Sequence, residues 1–210
     1  MFEKILNNCK MPKGLMGRIF VRIMNSGHAI ISQWGMRHIQ NEQVEKALDI
    51  GCGGGANLSR MLTMFPQGQI YGLDYSKDSV RISSKNNKKE LGKRCHIQQG
   101  SVSELPYEDN TFSVVTAFET VYFWPDILND FKQVFRSLKP GGKFLICNEA
   151  NDSTDTAFSD KVEGMRIYSE QELEKLLVAS GFKVVEKDRN ERDWICIIGQ
   201  KTADSYANCT

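Results

Sequence analysis

Lys46 to Ile50 form a short apolar run that meets Gly51-Cys52-Gly53-Gly54-Gly55, after which Leu58, Met61, Leu62 and Phe65 recur at helical spacing until Pro66. No other stretch constrains the fold so strongly. An apolar run of strand length, a turn dense in residues without Cβ, and a helix-period pattern stopped by proline read as strand, tight turn and helix. This arrangement puts free backbone amides at a helix N-terminus, beyond the carboxyl end of a strand.

The alternation continues along the chain. Apolar runs predict strands at Gln69 to Asp74, His96 to Gln99, Phe112 to Glu119 and Lys143 to Cys147. Helices are expected from about Asp78 to Leu91 and from Asp126 to Leu138, the second with Ile127, Leu128, Phe131, Val134, Phe135 and Leu138 on one face. Lys139-Pro140-Gly141-Gly142 stops that helix, and Ser169 with Glu172 makes a capping box for another that runs to Gly181. The last two apolar runs, Phe182 to Glu186 and Trp194 to Gly199, are separated only by the charged stretch Lys187 to Asp193. Parallel neighbours need a crossover of about a dozen residues or more, so this pair is expected to be antiparallel. The architecture is therefore a doubly wound α/β fold, with a mainly parallel seven-stranded sheet and one antiparallel strand near the C-terminus.

Before that domain, Ile19, Phe20, Ile23 and Met24 share a helix face opposite Arg18 and Arg22, and after Gly27 a second helical stretch carries Ile30, Ile31, Trp34 and His38. Residues 1–43 are thus expected to be a helical cap, residues 44–201 the main domain, and the polar residues 202–210 a disordered tail. A chain of 210 residues with 40% hydrophobic content suits one such domain. Its net charge of +1 lacks the basic excess of a duplex binder, so no nucleic-acid partner is expected. Six cysteines without a CxxC pair or zinc spacing fit reduced thiols in a cytoplasmic protein and no metal site. No run approaches the roughly 20 apolar residues of a membrane span, so no stable membrane insertion is expected; the Arg18 and Arg22 face suits anionic lipid and plain solvation equally. The pattern leaves the oligomeric state open.

The glycine loop and Asp74 carry the chemistry. Asp74 closes the second strand, where a carboxylate accepts hydrogen bonds from a ribose diol, and together with the loop this implies a nucleotide-like cofactor. Gly51, Gly53 and Ala56 also fit the dinucleotide fingerprint, so an NAD(P)-dependent oxidoreductase competes. Asp49, just before the first glycine, can counter the amino group of S-adenosylmethionine. That position, the helical cap and the antiparallel terminal pair favour the methyl donor.

LDIGCGGG, GLDYS, GSVSELPYEDNTFSVV, LKPGG and the final SGF with its strand pair resemble class I S-adenosylmethionine-dependent methyltransferases, especially the ubiquinone/menaquinone-biosynthesis-like small-molecule branch, over about residues 44 to 200. The resemblance implies Asp49, Gly51, Gly53 and Gly55 around the methionine moiety, Asp74 on the ribose and Tyr75 beside the adenine, with Cys52, Asn57 and Ser76 also among the cofactor-binding residues. It puts Ser101 and Val102 at the adenine edge and Phe118 with Glu119 below the sulfonium. Ser101 departs from the pattern, since many relatives carry an acidic residue there to receive the adenine amino group.

Methyl transfer from a sulfonium needs alignment and exclusion of water rather than covalent help. Acceptor-side candidates lie on the loop after the fourth strand: Glu119 to orient a cationic acceptor or take a proton, Tyr122 as a catalytic and contact candidate, and Trp124 to contact the acceptor. In the cap, Trp34 is an acceptor contact and His28 a catalytic candidate, if the helices close as a lid. Cofactor-side bonding for Glu119, and packing for the aromatic and histidine side chains, stay open beside these readings. Cys52 has no recognisable base partner and is not read as a nucleophile. The expected reaction is methylation of a small molecule, with an oxidoreductase or a noncatalytic cofactor-binding module on the same fold as alternatives.

Overall fold

The computed structural model describes residues 29–152, 154, 162 and 164–202. Seven strands form one sheet: β1 (Lys46–Ile50), β2 (Gln69–Asp74), β3 (Cys95–Gln99), β4 (Phe112–Phe118), β5 (Leu138–Asn148), β6 (Lys183–Arg189) and β7 (Ile195–Gln200). Their order is β3-β2-β1-β4-β5-β7-β6. β1 to β5 run parallel, and β7 inserts antiparallel between β5 and β6. The doubly wound fold with a single reversed strand is as the sequence implied.

Helices cover both faces because successive strand residues point to opposite sides. On β1, Leu48 and Ile50 join a core with Phe131, Val134, Leu173 and Leu177. These last belong to α4 (Ile127–Ser137) and α5 (Glu170–Ala179). Ala47 joins the other core with Ile31, Trp34, Leu58 and Met61, from α1 (Ala29–Met36) and α2 (Ala56–Met64). Beside α2, α3 (Lys77–Asn86) is followed by Asn87, whose Nδ2 donates to Gly55 O at 3.0 Å.

α1 lies very close to the sheet. A Cβ on Gly35 would sit 2.8 Å from both Phe118 Cε1 and Cys147 Sγ, so only glycine lets this helix seat on β4 and β5. The turn after α1 is tied to the sheet's edge: His38 Nδ1 pairs with Glu186, and its Nε2 lies 3.3 Å from Asp188 Oδ2. Both acids lie on β6.

Three element boundaries differ from the sequence reading by more than two residues. The helix expected to reach Leu91 ends at Asn86, where Asn87 caps it and turns follow. β5 begins at Leu138, not Lys143, because Lys139-Pro140-Gly141-Gly142 is absorbed as an irregularity in the pairing with β4. β6 runs on to Arg189, since its charges pair across an exposed edge: Lys187 Nζ lies 2.8 Å from Glu174 and Arg189 Nη2 3.4 Å from Glu170. The expected helix around Ile19 and the tail from residue 203 lie outside the described residues.

Candidate functional site

The strand order reverses between β1 and β4, and open α/β sheets bind ligands outside the carboxyl ends of strands at such a point. A cavity of about 950 Å³ lies there, lined by the glycine loop, the ends of β2 and β4, and the segment from Thr120 to Ile127.

The loop owes its shape to three residues in the left-handed region: Gly51 (φ 73°), Gly53 (φ 52°) and Gly55 (φ 77°). The Gly51 and Cys52 amides both turn back to Leu73 O, at 2.8 and 3.1 Å. At Gly55 a Cβ would meet Ser83 Oγ at 2.2 Å; at Gly53 it would meet nothing nearer than 3.9 Å. Gly55 is therefore demanded by packing. Gly53 is demanded by its backbone angle and leaves open space on the cavity side.

Asp74 braces this loop. Its Oδ2 accepts from the Gly53 amide and its Oδ1 from the Ser76 amide, both at 2.8 Å. Burial raises its carboxyl above the usual carboxylate range, and those amide bonds oppose the rise. Ser76 caps α3 through the Ser79 amide rather than facing the cavity. Tyr75 stands on the cavity wall, 45% exposed.

Asp49 ends up beside Thr116 because β1 and β4 pair in a register that places the two opposite each other. Thr116 Oγ1 donates to Asp49 Oδ1 at 2.7 Å. Burial pushes the Asp49 carboxyl up to about 7; the Thr116 bond opposes this and the nearby Asp74 charge adds to it. Asp49 is not itself part of the lining, but it lies within electrostatic reach of Asp74 and Arg60, which are.

On the far side, Glu119 follows β4 with φ 57°, a conformation unusual for a residue with a Cβ. Its Oε1 accepts from the Glu149 amide and from Tyr122 OH, the latter at 3.1 Å. Burial pushes the Glu119 carboxyl to about 8. The Tyr122 hydroxyl also accepts from the Ala150 amide at 3.0 Å, so the tyrosine joins the ends of β4 and β5. Trp124 stacks on Phe144 at 6.0 Å, and its Nε1 reaches Thr120 Oγ1 at 3.4 Å.

Of the residues expected from sequence, Gly51, Cys52, Gly53, Asn57, Asp74, Tyr75, Ser101, Val102, Phe118, Glu119, Tyr122 and Trp124 all line the one cavity. Ser101 caps a short turn, its Oγ accepting from the Ser103 amide at 3.2 Å. Trp34 is placed elsewhere: it is buried against the sheet, edge-on to His38, and among the described residues of the cap Ser32 lines the cavity. The helical period put Trp34 on α1's apolar face, and that face is the one seated on the core. His28 lies outside the described residues. The sequence reading missed Arg60, Thr120, Phe123, Arg166 and Tyr168 on the lining. Arg60 was signalled by its place one turn beyond Asn57; Arg166 and Tyr168 come from a connection without periodic pattern.

Among the described residues no group of three His, Cys, Asp or Glu side chains is placed to hold a metal ion, and no helix is long and apolar enough to cross a membrane.

Comparison with known proteins agrees with this geometry. A family model for a methyltransferase domain matches residues 41–201. Demethylmenaquinone methyltransferase of Lactococcus lactis subsp. lactis is 32% identical over 162 residues, covering 76% of this chain and 58% of that protein. The enzyme of the same name from Bacillus mycoides is 30% identical over 172 residues, covering 81% and 67%. The chain spans between about half and two thirds of the length of the curated relatives it matches. A crystal structure of an S-adenosylmethionine-dependent methyltransferase from Aquifex aeolicus superposes with a TM-score of 0.73 at 18% identity, over 87% of this chain and 97% of that one. The strand order, the braced glycine loop and the matched family model agree: the chain belongs to the methyltransferase-domain family and has the fold of the class I S-adenosylmethionine-dependent methyltransferases.

Proposed function

We propose that this protein transfers a methyl group from S-adenosylmethionine to a small-molecule acceptor by in-line displacement, leaving S-adenosylhomocysteine. The observation that carries the reading is the continuity of one cavity from the glycine loop and Asp74 to Glu119, Tyr122 and Trp124. Donor-binding and acceptor-side groups thus share one space within the range of small-molecule sites.

The residues fit the donor. Open space at Gly53 lets a ligand approach the backbone, and the Asp74 carboxylate, which accepts the Gly53 and Ser76 amides and a hydrogen bond from the Ser79 side chain, keeps acceptor capacity for a ribose hydroxyl. Asp49 faces the ammonium, Asn57 joins the methionine end, Tyr75 offers its ring face to the adenine, and Ser101 with Val102 meets the adenine edge. Phe118 walls the cavity beneath α1. When bound, the donor supplies an already activated methyl group.

The protein's own work is to align, dry and deprotonate. The Thr120–Ile127 segment and the aromatic walls keep water from the acceptor. Glu119, with its carboxyl near 8, holds the proton that an oxygen, nitrogen or sulfur acceptor loses, and Tyr122 fixes the carboxyl's orientation. The Cys52 thiol is buried and pushed well up, which suits packing rather than attack. Cytoplasmic residence goes with this reading, since the described cysteines Cys52, Cys95, Cys147 and Cys196 are free thiols.

Calorimetric titration with S-adenosylmethionine, S-adenosylhomocysteine and NAD(H) tests the donor. Saturable binding of the first two alone is expected, and Asp74→Ala should weaken it at least about tenfold, the cost of losing a charge-assisted bond. Binding of NAD(H) alone would make the protein an oxidoreductase. A radiolabelled methyl-transfer assay then separates an enzyme from a noncatalytic module. The relatives' name makes demethylmenaquinone the first acceptor to try.

A further inference from the structure

Among the described residues five charged side chains line the cavity: Arg60, Asp74, Glu119, Asp126 and Arg166. Four have partners inside the protein. Asp74 and Glu119 accept backbone amides, Asp126 accepts the Asn129 amide at 3.3 Å, and Arg166 lies 3.5 Å from Glu172. Arg60 differs from them. Its Nη1 donates to the neutral Asn57 Oδ1 at 2.9 Å, and among the described residues no carboxylate lies within salt-bridge distance of its half-buried guanidinium.

A partly dehydrated cation without a counter-ion favours an anion in the adjoining space, and a guanidinium's fork suits the two oxygens of a carboxylate. Arg60 stands on α2, which starts directly after the glycine loop, and lies in the field of Asp49 without touching it. Arg60 thus lines the cavity beside the glycine loop, the buried Asp49 lies within its electrostatic reach, and Asn57 orients the guanidinium. An amino-acid zwitterion carries the complementary pair of charges.

We propose that Arg60 binds the carboxylate of the methyl donor's amino-acid end while Asp49 faces its ammonium. This rests on the functional reading above and extends it to a residue outside the glycine motif. The test compares three ligands by calorimetry: S-adenosylhomocysteine, its decarboxylated analogue adenosyl-3-thiopropylamine, and 5′-methylthioadenosine. Wild-type protein should prefer S-adenosylhomocysteine over the decarboxylated analogue by about 10- to 100-fold, the value of a charge-assisted bond. Arg60→Gln should erase that margin and leave affinity for the other two ligands unchanged. Arg60→Lys, which keeps the charge and the aliphatic stem, should retain part of it.

Equal loss for all three ligands, or an undiminished margin in Arg60→Gln, overturns the assignment. If Arg60→Gln does not fold, a wild-type margin below about threefold, or an Arg60→Lys margin equal to that of wild type, overturns it. Wild-type protein that binds none of the three overturns the function and Arg60's role together, which separates the two failures.

Discussion

Asp49 and Thr116 form a pair whose consequence appears as pH changes. A buried carboxyl near 7, against about 4 in an unfolded chain, burdens the folded state only where the unfolded state is ionised. The burden is absent below about pH 4, grows as pH rises, and is complete above about pH 7, where it amounts to about 4 kcal/mol. If Asp49 meets the donor's ammonium, it must ionise to do so. Affinity for S-adenosylhomocysteine should therefore rise with pH through about 7 and binding should release a proton below that. Thr116→Val removes the bond that opposes the rise and should move the transition to higher pH, while Thr116→Ser restores it. Titrations between pH 5.5 and 8.5 in buffers of different ionisation enthalpy measure both; a flat profile would remove Asp49 from the ammonium. At this scale the sequence displayed the glycines and both aspartates, because chain-local motifs announce them. Thr116 was not legible, since only the pairing register of β1 with β4 puts it opposite Asp49. Trp34 misled for the converse reason: an aromatic at helical spacing looks the same whether its face meets a ligand or the sheet.

Among the elements, α5 shows how a local signal becomes stability. Ser169 Oγ accepts the Glu172 amide at 3.3 Å, and Glu172 Oε2 takes the Ser169 amide at 2.8 Å. Replacing Ser169 with Ala should cost about 1 kcal/mol, read as a lower denaturation midpoint in urea with an unchanged slope. A loss under about 0.3 kcal/mol would mean that tertiary packing of Leu173 and Leu177 alone holds the helix. This cap, the cores of β1, β2 and β4, and the antiparallel end were all legible, because apolar period and turn chemistry agree there. The misread boundaries occur where they disagree. Pro140 and two glycines at the start of β5 carry stop signals that an irregular pairing tolerates, and the alternating charges of β6 resemble a loop until the acids of α5 stand opposite them.

At the scale of the molecule, both cores meet at the cavity: Val102 and Trp124 come from one, Cys52 and Phe118 from the other. A ligand held there should stabilise the whole domain. At one hundred times its dissociation constant, S-adenosylhomocysteine should add about 2.7 kcal/mol and raise the melting temperature by about 5–10 °C, which differential scanning fluorimetry will show. A shift confined to a minor early transition would place the site outside the cooperative unit. The insertion of β7 also sets an order of events during synthesis. β6 leaves the ribosome before the strand on which it leans, so β5 has an open edge and β6 has no sheet to join until Gln200 has emerged. Until then the nascent chain carries two unpaired strand edges, sites for wrong partners, and the arrival of β7 closes both at once.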